Sequence, residues 1–159
     1  MKKLALFISL VAIVAMSACE KENVTPDKSF GDYENYVYYP DLGGYVLDND
    51  QLHGRLYVMN QSDLGPYLST DIPTSFSIEG FTDWYVPDPQ KAGSIASIFD
   101  RADDNMKVTP GGWYWFYHNG TPELVKMQEN DETKLDDGNS HPLRVIRYIE
   151  YEPTEHLPQ

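Results

Sequence analysis

Residues 113–120 read WYWFYHNG, and no other stretch limits the fold as sharply. Aromatic side chains favour the pleated, half-buried surface of a strand. Asn119-Gly120 follows at once, and Asn-Gly is the preferred pair for a two-residue hairpin because both positions need positive φ. Thr121 to Met127 is then the return strand, with Pro122 placing its start at an edge or after a bulge. Trp113, Trp115 and Tyr117 fall on one face of the first strand, and Tyr114, Phe116 and His118 on the other. A strand with one solvated face alternates apolar with polar residues. This one is aromatic on both, so either both faces are covered or one aromatic row is exposed. An exposed row of Trp113, Trp115 and Tyr117 would suit sugar rings or a protein partner. Trp84 and Tyr85 carry the same two readings.

The rest of the chain agrees with a β domain. Gly44 to Leu47 and Arg55 to Asn60 look like a strand pair joined through DNDQLHG. Phe76 and Ile78 alternate with serine and glutamate, Asp83 to Val86 is a further candidate, and LRVIRYIEYEP (143–153) reads as one long closing strand. One stretch prefers helix: Ile95, Ile98, Phe99 and Ala102 follow helical spacing, with Ser94 as the cap. The expected class is all-β, or mainly β with one short helix, in a single sandwich or small barrel of about six to eight strands.

The amino terminus points to a location. Lys2 and Lys3 precede an apolar run from Leu4 to Val14, and Met16, Ser17 and Ala18 lead into Cys19, the single cysteine. A positive head, an apolar core and small residues at a cut make a secretory signal peptide. Leu4 to Ala18 would span roughly 22 Å as a helix, short of the ~30 Å hydrocarbon core of a bilayer. The stretch VAMSAC resembles the lipobox of bacterial lipoproteins, with Met16 where leucine is more usual. By that resemblance residues 1–18 are removed, Cys19 receives diacylglycerol and the new amino terminus is acylated. Two chains already suffice for stable anchoring. The implied place is the cell envelope, with the outer membrane, periplasmic or surface side, expected.

Without the leader the chain keeps 10 basic against 25 acidic residues, a net charge of −15. That balance opposes nucleic-acid binding, which rests on neutralising phosphates, and opposes docking on anionic headgroups. Residues 19–34 read as the lipidated cysteine and a polar tether, and residues 35–159 as one domain of ordinary size.

LSTDIPTSFSIEGFTDWYV, residues 68–86, resembles a pattern in small NigD-like envelope lipoproteins, with Ile72-Pro73, Phe76 and Gly80 at its matching positions. The resemblance implies a signal, a tether and an OB-like or immunoglobulin-like β domain, and supplies no active site.

Chemistry is harder to find. Asp48 with Asp50, Asp100 with Asp103 and Asp104, and Asp136 with Asp137 are acidic clusters, but none has the alternating ligands and central glycine of a calcium loop. Asp136-Asp137-Gly138-Asn139 reads better as a turn. His53, His118, His141 and His156 lie far apart, so no metal and no cofactor is expected. The nucleophile elbow, the P-loop and the dinucleotide fingerprint are missing from the sequence, and a glycosidase would need two carboxylates that nothing singles out. The expectation is a non-catalytic, lipid-anchored envelope protein binding a protein or glycan. The alternative is an inhibitor or immunity-type lipoprotein acting on a hydrolase through an acidic loop, 100–105 or 129–139.

Overall fold

Asn119 and Gly120 both take left-handed backbone, φ 50° and 78°, and close the hairpin that WYWFYHNG dictates. The computed structural model describes residues 29–96, 111–127 and 132–152. Its strands are β1 (Tyr38–Tyr39), β2 (Gly44–Asp50), β3 (Arg55–Met59), β4 (Leu64–Tyr67), β5 (Phe76–Ile78), β6 (Phe81–Trp84), β7 (Trp113–His118), β8 (Thr121–Lys126), β9 (Thr133–Lys134), β10 (His141–Leu143) and β11 (Ile146–Glu150). They form a four-stranded sheet in the order β1-β2-β3-β11, a five-stranded sheet in the order β4-β10-β7-β8-β9, and the small hairpin β5-β6. The protein is mainly β, as its composition of short, turn-bounded strands requires.

Local chemistry sets the registers. In the β7–β8 hairpin His118 faces Thr121 and Tyr117 faces Pro122. In a two-residue hairpin the closing pair exchanges the hydrogen bonds, so the next pair points its backbone outward. Pro122 therefore lacks a donor the ladder does not use. Tyr117 sends its N–H the other way, to the Pro87 carbonyl at 3.0 Å. Glu79 (φ 52°) and Gly80 (φ 81°) repeat the same turn device between β5 and β6, where Ile78 faces Phe81.

Both faces of β7 are covered. Trp115 sits in one core cluster with Val46, Leu56, Val58, Leu124 and Leu143. Tyr114 and Phe116 sit in a second with Tyr45, Met59, Ile95, Val125 and Ile146. Each large side chain so buried contributes about 1.5–3 kcal/mol.

Three expectations need correction. The segment 143–153 is not one strand: β10 belongs to the five-stranded sheet and β11 to the four-stranded sheet. The chain changes sheets at Arg144-Val145 because Arg144 is buried (2% exposed) and must reach an anion. Asp63 Oδ1 accepts from Arg144 Nε at 2.6 Å, and the Asn60 carbonyl accepts from Nη1 at 3.0 Å. Asn60 then pairs with Val145 twice, through its own N–H and through its side-chain oxygen.

The helix α1 (Ala92–Ala96) is entered through a 3-10 turn at Pro89–Lys91, capped by Asp88, whose carboxylate accepts the Gln90 N–H at 2.9 Å. Ser94 lies inside the helix and does not cap it. Ile95 is buried as its spacing requires, while Ile98, Phe99 and Ala102 lie outside the described residues.

The domain also begins before residue 35. Tyr33 is buried, Phe30 stacks on Tyr151 at 4.6 Å, and Asn49 Nδ2 donates to the Phe30 and Tyr33 carbonyls, each at 2.8 Å. Residues 30–33 are thus part of the packed unit, held there because two aromatic rings and two carbonyls find partners.

Candidate binding face

The expected aromatic row on β7 is not a surface. Trp113, Trp115 and Tyr117 share a face, but that face packs into the first core cluster. Trp115 is fully buried and donates its indole N–H to the Tyr67 carbonyl at 2.8 Å. Trp84 is buried too, donating to the Ile78 carbonyl at 3.1 Å. Both indoles have spent their polar handle internally, so neither can serve as a platform. Trp113 and Tyr117 are half-buried. Over the Trp113 ring lies the Lys134 ammonium, 4.1 Å from the centroid.

Tyr85 is the candidate that the fold leaves exposed, at 41%. It is held by a single antiparallel bridge, giving and receiving a hydrogen bond with Ile146 at 2.9 Å. On the strands beyond that bridge the register sets Tyr148 of β11 against Tyr57 of β3. Their ring centroids lie 5.1 Å apart, tilted by 40°, within the range of a favourable aromatic pair. Lys91, at the entry to α1, places its ammonium 3.6 Å from the centre of the Tyr57 ring. At a half-exposed site such a contact contributes about 0.5–1 kcal/mol.

Burial first, and then the neighbouring Tyr57 and Tyr148 hydroxyls, push the Tyr85 phenol up to about 12. Tyr85 therefore stays an O–H donor through neutral pH. The Tyr148 hydroxyl donates to Glu150 at 2.5 Å, a bond that also raises its pKa. Along the end of the same sheet Arg55 faces Asp50 on one side and Glu150 on the other. His53 is bonded to Asp50, whose pKa it lowers. Three tyrosine rings, one lysine and a mixed-charge rim can stack on a flat ligand and hydrogen-bond its edges.

Tyr57 and Tyr148 escaped the sequence reading. Their signal is parity: Arg55 and Tyr57 alternate with buried Leu56 and Val58, and Tyr148 and Glu150 share a face of β11. In these runs tyrosine reads as a strand former, and its exposure depends on the neighbouring strand.

The acidic residues have ordinary employment. Asp136 accepts from Ser69 and from the Gly138 N–H. Asp137 accepts from Lys134 at 2.6 Å and bonds His141 at 2.9 Å, and these partners hold its carboxyl well below the usual range. The residues 136–139 form the expected turn, with Gly138 at φ 77°. Among the described residues no group of three or more His, Cys, Asp or Glu is placed to hold a metal ion. His118 lies 3.5 Å from Asp88, far in sequence from the other two histidine–aspartate pairs. Asp100, Asp103, Asp104, His156 and Cys19 lie outside the described residues.

No family model matches the chain. Comparison with curated proteins finds no similar one, and comparison with solved structures finds none either. Among the described residues no helix is long and apolar enough to cross a membrane.

Proposed function

We propose that this protein is a non-catalytic, lipid-anchored component of a bacterial cell envelope that binds a protein or glycan partner through the Tyr57–Tyr85–Tyr148 face. The observation that carries the binding reading is the grouping of three partly exposed tyrosines under one lysine, beside a sheet that buries Tyr39 and Tyr45. Binding surfaces are enriched in tyrosine because it offers a large rigid ring with a polar tip. The anchor reading rests on the lipobox-like VAMSAC and the abrupt charge of Glu20, Lys21 and Glu22 after it.

Two experiments test the two halves. Affinity capture with the full-length chain, against envelope proteins and a glycan panel, should give a partner whose retention falls when Tyr57 and Tyr85 are both changed to alanine. Equal retention by the double variant would remove the tyrosine face from the proposal. Fractionation of cells carrying Cys19→Ser should find the protein released from membranes, because the acyl chains are lost together. A variant still in the membrane fraction, with its leader uncleaved, would mean that residues 4–18 hold the chain directly.

The inhibitor reading has one observation of its own. Leu135 is 77% exposed and stands beside Asp136 and Asp137, in the acidic segment that would face a hydrolase. Capture of a hydrolase that Leu135→Ser releases, and that the tyrosine variants keep, would favour it.

A further inference from the structure

The bridge between Tyr85 and Ile146 fixes which way every backbone group of β11 points. Ile146 bonds outward to Tyr85, while Val145 and Tyr151 bond inward, to Asn60 and Gly54. Hydrogen bonding alternates along an antiparallel strand. Arg147 and Ile149 therefore bond to β3, and Tyr148 and Glu150 turn their N–H and C=O groups away from it. Among the described residues none takes up those four groups. An edge of this kind is a template for another chain.

Beside that edge lies open space: Tyr85, just past the end of β6, bridges to Ile146, while β6 itself pairs with β5 and not with Tyr148 or Glu150. The gap is a cleft of 310 Å³ that includes Phe30, Phe81, Ile149, Asp41, Asp83 and Glu150 in its lining. Among the described residues its one cation, Arg147, is spent: Nη1 donates to the Leu42 carbonyl at 2.8 Å, Nη2 to Asp83 at 3.0 Å, and the guanidinium lies 3.7 Å from the centre of the Phe81 ring. Three carboxylates against one buried guanidinium leave the cleft negative.

We infer that the β11 edge binds an extended, basic peptide segment of a partner protein by strand addition. The backbone of the segment continues the line that Tyr85 begins, pairing with Tyr148 and Glu150. Alternate side chains then fall into the cleft, against Phe81 and Ile149, and onto the tyrosine face. Backbone pairing gives affinity in this mode, and alternate side chains give specificity. The choice of a basic segment follows from Asp41, Asp83 and Glu150, with the chain's net charge of −13 acting in the same sense. This site adjoins the tyrosine face and differs from it in what it uses: the main chain of Tyr148, whereas the face uses its ring.

The probe is a labelled decapeptide of alternating lysine and valine, added to the full-length chain in detergent. It should bind, more weakly as salt rises, and slow the amide exchange of Tyr148 and Glu150 while leaving Arg147 and Ile149 unchanged. The same peptide methylated on alternate backbone nitrogens should bind about tenfold more weakly, the worth of one lost hydrogen bond or more. A glutamate-for-lysine peptide should not bind. Glu150→Pro, which removes one outward donor, should weaken binding more than Glu150→Gln, which removes only charge. No binding of the lysine–valine peptide, equal binding of its methylated form, or binding without protection of Tyr148 and Glu150 would each overturn the inference. Binding that survives Glu150→Pro but fails in Tyr57→Ala would assign the peptide to the tyrosine face instead.

Discussion

Arg144 and Asp63 join across 81 residues of chain, with 2.6 Å between Nε and the carboxylate, at the point where the protein passes from one sheet to the other. The guanidinium is buried while Asp63 keeps partial contact with water, and the Tyr114 hydroxyl donates to the second carboxylate oxygen at 2.8 Å. Removing the acid strands a buried cation. Asp63→Ala should therefore cost about 3 kcal/mol in a denaturation experiment, the low end for a broken buried pair because Asp63 is partly solvated. Replacing both residues, as Asp63→Leu with Arg144→Met, should recover much of that loss. A single variant as stable as the wild type would show that the corner is held by Asn60 alone.

Gly44 is a packing position. A Cβ built there would lie 2.2 Å from the Met59 carbonyl oxygen, a backbone atom that cannot swing aside. Gly44→Ala should destabilise the protein by about 2–3 kcal/mol, the usual cost of overpacking, read from the midpoint of urea unfolding. Gly120→Ala should cost less. Open space surrounds that site, and only its positive φ resists the substitution.

Asp137 sets part of the acid limb of stability. Lys134 and His141 hold its pKa below the ordinary 3.8, so the folded state favours the carboxylate. That contribution is complete above pH 3.8 and is lost as pH falls below it toward the depressed folded value. In Asp137→Asn the slope of stability against pH should be shallower below pH 3.8 and unchanged near neutrality. An identical acid limb in the variant would mean that the unfolded chain binds no more protons at this site.

Tyr85 supplies the alkaline counterpart. Its pKa rises from 10.0 to about 12 in the folded protein, so the folded state holds the proton more tightly. Its contribution is present below pH 10 and is lost as pH climbs toward 12. Ultraviolet titration of tyrosinate should show a late-ionising component, shared with other raised phenols such as Tyr148, that loses one phenol in Tyr85→Phe.

Short-range chemistry was legible in the residues. Asn119-Gly120 fixed one hairpin, and the β2–β3 pair could be placed from two strand-like runs on either side of DNDQLHG. Tertiary satisfaction was not legible. Nothing local in LRVIRYIE says that Arg144 will find Asp63 and break the run, or that Asn49 will draw Phe30 and Tyr33 into the domain. The aromatic strand failed as a site for the same reason. Whether Trp115 faces solvent depends on what covers it, and its cover comes from Val46, Leu56 and Leu143 on distant strands. Tyr85 was visible because it is an aromatic in the candidate strand Asp83 to Val86. Tyr57 needed its neighbour across the sheet.

The stack of Phe30 on Tyr151, with ring centroids 4.6 Å apart, brings the two ends of the packed unit side by side. Topologically the domain is close to a ring. A short linker from residue 152 to residue 29, with the chain reopened between Asn119 and Gly120, would cut a surface turn and leave both core clusters intact. The same closeness lets the domain be carried as an insert within a loop of another protein, entering and leaving at one point. Pulled apart at Phe30 and Tyr151, such a unit would open that ring stack first and then load the end of β11.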